Sequence, residues 1–118
     1  MLRYHWAVME AQLDPTKGTE QHGTRPVLVV SNEEFNQAMH NVTVLPITST
    51  QRRLYPSEVL VPLGTAGLSR DSIIMAHQIR TISKQRLGSL LGHIEQPEIR
   101  RQVSEAICEH LEIGPEMD

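Results

Sequence analysis

Cysteine, aromatic residues and long apolar runs are all scarce in this chain of 118 residues. The lone cysteine, Cys108, excludes an internal disulfide and a cysteine-based zinc cluster within one chain, and it fits a reducing compartment. One Trp, two Tyr and one Phe are too few rings for aromatic platforms to be the main mode of any nucleic-acid binding. No apolar run approaches the roughly 20 residues that span a bilayer, and the opening MLRYHWAVMEAQ has no apolar core of signal-peptide length. A cytoplasmic protein with no membrane partner is expected. Excess positive charge is missing as well: the formal net charge is -3, which argues against coating nucleic acid through bulk charge and leaves room only for a local basic cluster. The six histidines lie at positions 5, 22, 40, 77, 93 and 110 without HxH or HExxH spacing, so neither a metal site nor a cofactor is expected.

What is present centres on DPTKGTEQHGTRPVLVVSN, residues 14–32. Gly18 and Gly23 bracket Thr19, Glu20, Gln21 and His22, which allows sharp turns on either side of a polar tip able to fold over a ligand. Pro26 cannot donate to a ladder and suits the first position of a strand, and Val27 to Val30 suits a strand buried on both faces. Arg25 then stands at the mouth of a core strand, a costly place for a cation unless an anion from protein or ligand meets it.

The length admits one domain, residues 1–118, with its own core. His5 to Leu13 reads as a strand with imperfect alternation. After the strand ending at Ser31, either Ser31 or Asn32 can cap one or two helical turns that start with acidic residues. Val42 to Thr48 is strand-like, with Pro46 arguing for a kink or an edge position. A polar stop, Ser49 to Arg53, precedes a further strand ending at Pro62, and residues 64–69 form a turn. Asp71 to Ile82 is a strand pair or one bent strand, Lys84 to Gly88 holds one helical turn at most, and Leu90 to Ile94 is a last strand. From Gln96 the period changes: Ile99, Val103, Ala106, Ile107, His110 and Leu111 recur at three- and four-residue spacing, with Pro97 in the first turn and Gly114-Pro115 as a stop. Several short strands followed by one terminal helix imply a small, strongly bent antiparallel sheet or barrel capped by helix.

The same pieces, DPTKGTEQHGTRPVLVVSN, VTVLPITST, YPSEVLVP and GLSRDSIIMAHQIRTISKQRLG, resemble in unbroken order the MazF/PemK toxin family, with the G-x-E-Q-x-G-x-R-P loop and the D-S-x-x-x-x-x-Q-I-R-T-I piece the specific parts. The resemblance implies a mainly β fold with α, an SH3-like barrel of the CcdB/MazF/PemK type, with a short helix after the second strand and a C-terminal helix. It also implies a homodimer that acts as a sequence-selective, metal-independent endoribonuclease on single-stranded RNA and is neutralised by a cognate antitoxin. Products with a 2',3'-cyclic phosphate and a 5'-hydroxyl are expected. Such cleavage uses the substrate's 2'-hydroxyl as nucleophile, so the protein has only to manage protons and offset charge on the transition state.

Carried over by motif, Arg25 and Thr48 are the expected catalytic pair. Arg25 offers a planar, permanently charged donor for phosphate, which makes it a poor base; its bland alternative is an ion pair with Glu20. Thr48 can donate its hydroxyl to a phosphate oxygen or satisfy a neighbouring carbonyl. Candidate substrate contacts are Thr19, Glu20, Gln21 and His22 of the loop, with His22 able to act near neutral pH as acid or base. Ser49, Thr50, Gln51, Arg52 and Arg53 form a candidate RNA track or a solvated hairpin, and acidic antitoxin tails suit the same Arg25, Arg52 and Arg53 surface. Gln78 and Arg80 complete the set, Arg80 as phosphate contact or dimer-interface cation. Cys108 is expected to pack. Family members commonly open on Arg-Gly-Asp or Arg-Gly-Glu where this chain has Trp6-Ala7. Glu10 likewise stands where an aromatic or aliphatic residue is usual. A gyrase-binding toxin of the CcdB kind and a catalytically decayed homologue remain the alternatives.

Overall fold

The computed structural model describes residues 1–13 and 24–114, so the expectations for Thr19, Glu20, Gln21 and His22 lie outside the described residues. Seven strands and two α-helices follow in chain order: β1 (Ala7–Ala11), β2 (Arg25–Val29), α1 (Glu33–Ala38), β3 (Asn41–Thr48), β4 (Glu58–Val61), β5 (Ser72–Met75), β6 (Arg80–Ser83), β7 (Leu87–His93) and α2 (Pro97–Leu111). Every strand pairing is antiparallel, in the order β4-β5-β3-β2-β1-β7, with β6 joined to the other half of β3. The fold is mainly β and barrel-like, with the short helix after β2 and the helix at the C-terminal end; among the described residues the sheet does not close.

Successive side chains of a strand point to opposite faces, and here both faces are buried. Ala7, Met9, Ala11, Val27, Val29, Val42, Val44 and Ile82 fill the inside of the curled β7-β1-β2-β3-β6 sheet. Val8, Leu28 and Leu45 point the other way, into a second cluster with Val59, Val61 and Ile74 from the β4-β5 layer and Val103 and Ala106 from α2. Two apolar faces explain why the strands read as near-continuous aliphatic runs rather than alternating ones.

Strand β3 is interior, so Pro46 is neither on an edge nor excluded from the middle of a sheet. Its position is tolerated because it falls where β3 exchanges partners: residues up to Val44 pair with β6, and Ile47 and Thr48 pair with β5. A missing donor at that step interrupts neither ladder.

Asn32, not Ser31, caps α1, its side chain accepting the Phe35 N–H at 2.7 Å. Glu33 in the first turn accepts the N–H groups of His5 (2.7 Å) and Tyr4 (3.1 Å), tying the N-terminal segment to the helix. Burial pushes the Glu33 carboxyl upward, and hydrogen bonds from Gln37, His5, Tyr4 and Asn36 outweigh it, leaving the carboxyl lowered to about 2. Helix α2 starts with Pro97 in its first turn and ends at Leu111, short of Gly114-Pro115, because Glu112 adopts the left-handed conformation (φ 56°) that closes a helix. The apolar stripe ends early too: Val103 and Ala106 are buried, while His110 and Leu111 are exposed and Cys108 is half-buried. No helix among the described residues is long and apolar enough to cross a membrane.

Trp6, at the position where the family has glycine, carries φ 69°. This left-handed backbone costs a bulky L-residue about 1–2 kcal/mol. Backbone bonds from its N–H to the Val29 carbonyl and from the Ile94 N–H to its own carbonyl, both 2.9 Å, hold the conformation. The ring packs against the outer core cluster beneath the Arg100 guanidinium, 5.2 Å from its centroid.

Candidate functional site

Three successive residues at the end of β1 gather three arginines. Ala11 pairs with Arg25, the first residue of β2. Gln12 exchanges bonds with Arg86: its N–H donates to the Arg86 carbonyl, and the Arg86 Nη1 donates to the Gln12 carbonyl, each at 3.0 Å. Leu13 accepts the Arg80 Nη2 at 3.0 Å. The rim of the barrel from which residues 14–23 depart is therefore basic on an acidic chain. Arg25 itself is exposed, so the burial cost expected of it does not arise; among the described residues no carboxylate pairs with it.

Thr48 reaches the same rim through register. The β2–β3 ladder runs from Val29–Val44 to Val27–Pro46; Arg25 and Thr48 lie two residues beyond its last pair, so both stand at the same end of the two strands. Thr48 is half-buried, its Oγ1 accepting the Thr50 N–H at 3.2 Å and donating to the Thr50 Oγ1 at 3.1 Å. The turn that begins the next loop thus orients the hydroxyl.

That loop divides. Ser49, Thr50, Gln51 and Arg53 are exposed, and the Gln51 amide donates to the Ser49 and Asp71 carbonyls. Arg52 is committed elsewhere: its Nη1 and Nη2 donate to the two Glu58 carboxylate oxygens at 2.9 Å each, and its guanidinium lies 4.6 Å from the Tyr55 ring centroid. The Glu58 side chain is fully buried and also takes the Tyr55 N–H (2.8 Å) and His77 Nε2 (2.7 Å). The hydrogen bonds from Arg52 lead burial and the His77 contact in effect and hold the carboxyl lowered to about 2. As a result Arg52 braces the loop, and Arg53 is the cation it presents to solvent. Gln78 is exposed in the 3-10 turn between β5 and β6, its Nε2 3.8 Å from the Met75 sulfur.

Arg86 and Glu58 are the residues that sequence reasoning missed. No local signal marks Arg86, which joins the rim only through the β1–β7 pairing. Glu58 sits in the quoted YPSEVLVP piece, and a carboxylate six residues after Arg52 was the available clue. No group of three or more His, Cys, Asp or Glu suited to a metal ion occurs among the described residues.

The sequence pattern that defines the PemK-like, MazF-like toxins of type II toxin-antitoxin systems matches residues 4–111. The chain belongs to this family. The PemK/MazF assignment is reinforced by relatives of near-equal length. Endoribonuclease MazF9 of Mycobacterium tuberculosis is 35% identical over 111 residues, covering 90% of this chain and 93% of the relative. Endoribonuclease EndoA of Bacillus subtilis is 40% identical over 98 residues, covering 82% and 84%. Among solved structures, a mycobacterial endoribonuclease bound to its cognate antitoxin superposes with a TM-score of 0.78 at 25% identity, covering 96% of this chain and 98% of that one. Among the described residues, the basic rim at the end of β1 has the chemistry to meet a polyanion.

Proposed function

We propose that this PemK/MazF chain is an endoribonuclease toxin that cleaves single-stranded RNA, sequence-selectively and without a metal, and is neutralised by a cognate antitoxin in the cytoplasm. One observation supports the reading most: the β2–β3 register, whose last pair, Val27–Pro46, leaves Arg25 and Thr48 at the same end of the two strands. In the reaction the substrate's 2'-hydroxyl gives up its proton to water as its oxygen bonds to phosphorus, and the bond from phosphorus to the 5'-oxygen breaks as that oxygen takes a proton from water, leaving a 2',3'-cyclic phosphate and a 5'-hydroxyl. Arg25 offsets the charge that builds on the phosphoryl oxygens, and Thr48 turns its O–H from Thr50 to donate a hydrogen bond to one of them. Arg53, Arg80 and Arg86 hold flanking phosphates, with Ser49, Thr50, Gln51 and Gln78 as polar contacts. Thr19, Glu20, Gln21 and His22 are the further substrate contacts that the loop motif implies.

Support for an antitoxin comes from the mycobacterial relative bound to its own; an acidic segment laid across the same arginines would exclude RNA by competition. Support for a homodimer comes from apolar side chains exposed along the edge strand β4 and its flanks, Tyr55 at 56%, Leu60 at 53% and Leu63 at 65%.

The test is cleavage of a long single-stranded RNA in chelator with end mapping. The wild-type chain is expected to make site-restricted cuts ending in cyclic phosphate, and Arg25→Ala to lose about 100- to 1000-fold in rate, the usual effect of deleting one transition-state donor. Arg25→Lys is expected to recover part of it, since the charge returns without the two-pronged geometry. RNA left intact by well-folded wild-type protein overturns the proposal in favour of a toxin that only binds.

A further inference from the structure

Beside the arginine rim lies a cavity of about 370 Å³ lined by Gln12, Thr24, Gln85, Arg86, Leu87 and Gly88. Two features of the backbone create it. Between Met9 and Ala11 the β1–β7 register slips, two steps along β1 matching three along β7, and such bulges re-aim side chains at barrel rims. Just before β7, Ser83 caps a 3-10 turn of Lys84–Arg86, its hydroxyl accepting the Gln85 N–H at 3.1 Å. The turn brings Gln85 to the cavity lining together with Gln12, and both residues are exposed.

Arg86 is shared with the rim, but the rest of the lining differs in chemistry from the phosphate-facing arginines. Among the described residues it contains no carboxylate, and it has two side-chain amides, each with a donor and an acceptor in one plane, the pattern that pairs with the edge of a nucleobase. Arg86 spends one N–H on the Gln12 carbonyl, which fixes its guanidinium as a wall and leaves further donors toward the space. Leu87 and Gly88 supply an uncharged floor. Thr24, on the rim of the cavity, directly precedes Arg25, so a nucleotide whose phosphate meets Arg25 has its neighbouring base within reach.

We infer that this cavity is a nucleobase subsite, with Gln12 and Gln85 as specificity-determining residues for one base next to the scissile phosphate. The inference deepens the proposed RNA-cleaving function and rests on it, and the experiment separates the two. Short single-stranded oligonucleotides carrying a 2'-deoxy sugar at the cleavage position cannot be cut by 2'-hydroxyl attack; sets of four differing at one base are titrated against the full chain. Wild-type protein is expected to rank the four bases at one flanking position over a range of about tenfold or more, the usual discrimination of a good two-point contact. Gln85→Ala and Gln12→Ala are expected to flatten that ranking about tenfold while leaving the weakest-bound base unchanged. Arg25→Ala lowers all four together and keeps the ranking. The corresponding RNAs, cut by the same variants, are expected to show the same relaxation at the same position. An unchanged ranking in both glutamine variants, or no ranking at any flanking position in the wild type, overturns the subsite. Base ranking without any cleavage of the RNA forms overturns the nuclease reading and leaves the subsite standing.

Discussion

Replacing Glu58 by Gln keeps the shape of the brace between the β3–β4 loop and the turn after β5, and removes its charge. The carboxylate is hydrogen-bonded by Arg52 twice, by His77 and by the Tyr55 N–H, with its side chain fully buried and the Arg52 and His77 side chains 26% and 29% exposed. Breaking a wholly buried pair costs about 3–5 kcal/mol; the partial exposure of Arg52 and His77 reduces this to about 2–3 kcal/mol. For a domain of this size that is roughly a 10 °C fall in Tm.

The pH dependence is the sharper signature. The folded-state carboxyl lies at about 2 against an ordinary 4.5, so its contribution is fully present above pH 4.5 and is lost as pH falls toward 2. By linkage that window is worth about 3 kcal/mol at most, and about 1–2 kcal/mol after solvent screening. Urea unfolding of both proteins from pH 7 down to pH 3 checks it, urea being uncharged. Glu33 titrates in the same range in both chains and cancels in the difference. The gap between wild type and Glu58→Gln is expected to be widest near neutrality and to narrow below pH 4.5. A gap that stays constant down to pH 3, or a variant as stable as wild type at pH 7, refutes the reasoning.

Substitutions at three further positions test the fold and the rim. At position 6 the usual order of small residues is expected to invert: Trp6→Ala loses the ring and keeps the left-handed strain, whereas Trp6→Gly loses the ring and relieves it. Glycine is therefore expected to be the more stable by about 1 kcal/mol, measured by urea midpoint. At Gly92 a β-carbon would sit 2.6 Å from the Ala66 carbonyl carbon, so Gly92→Ala has to push β7 off the 64–68 turn, and a loss of about 2–3 kcal/mol is expected in the same assay. Thr48→Val keeps the β-branched shape and deletes the hydroxyl; end-mapped RNA cleavage is expected to slow at least tenfold, with Tm shifted by only a few degrees as the bond to Thr50 is lost.

The strands and the terminal helix were legible because their signals are local. Pro26 ahead of Val27 to Val29 gave β2, Pro97 gave the start of α2, and the polar stop after Thr48 gave the end of β3. What misled was context. Pro46 reads as an edge signal until the exchange of partners along β3 is known, and Gly114-Pro115 reads as the helix stop until Glu112 is found to have closed it. The candidate site divides in the same way. Arg25 and Thr48 carry motif signals, and their place at one end of the β2–β3 pair emerges from register alone. Arg52 looks free in a run of polar residues, and only folding reveals that Glu58 has claimed it. Arg86 and Gln12 are 74 positions apart, a separation that no window along the chain can join.

Because β3 is stitched to the curled sheet by its first half and to the β4-β5 layer by its second, the threonine at its end answers to both layers. Helix α2 packs on β4 and on the turn after β5, in the layer to which the second half of β3 is joined. A substitution confined to α2 is therefore expected to shift RNA cleavage from the back of the molecule, although it alters no residue of the basic rim.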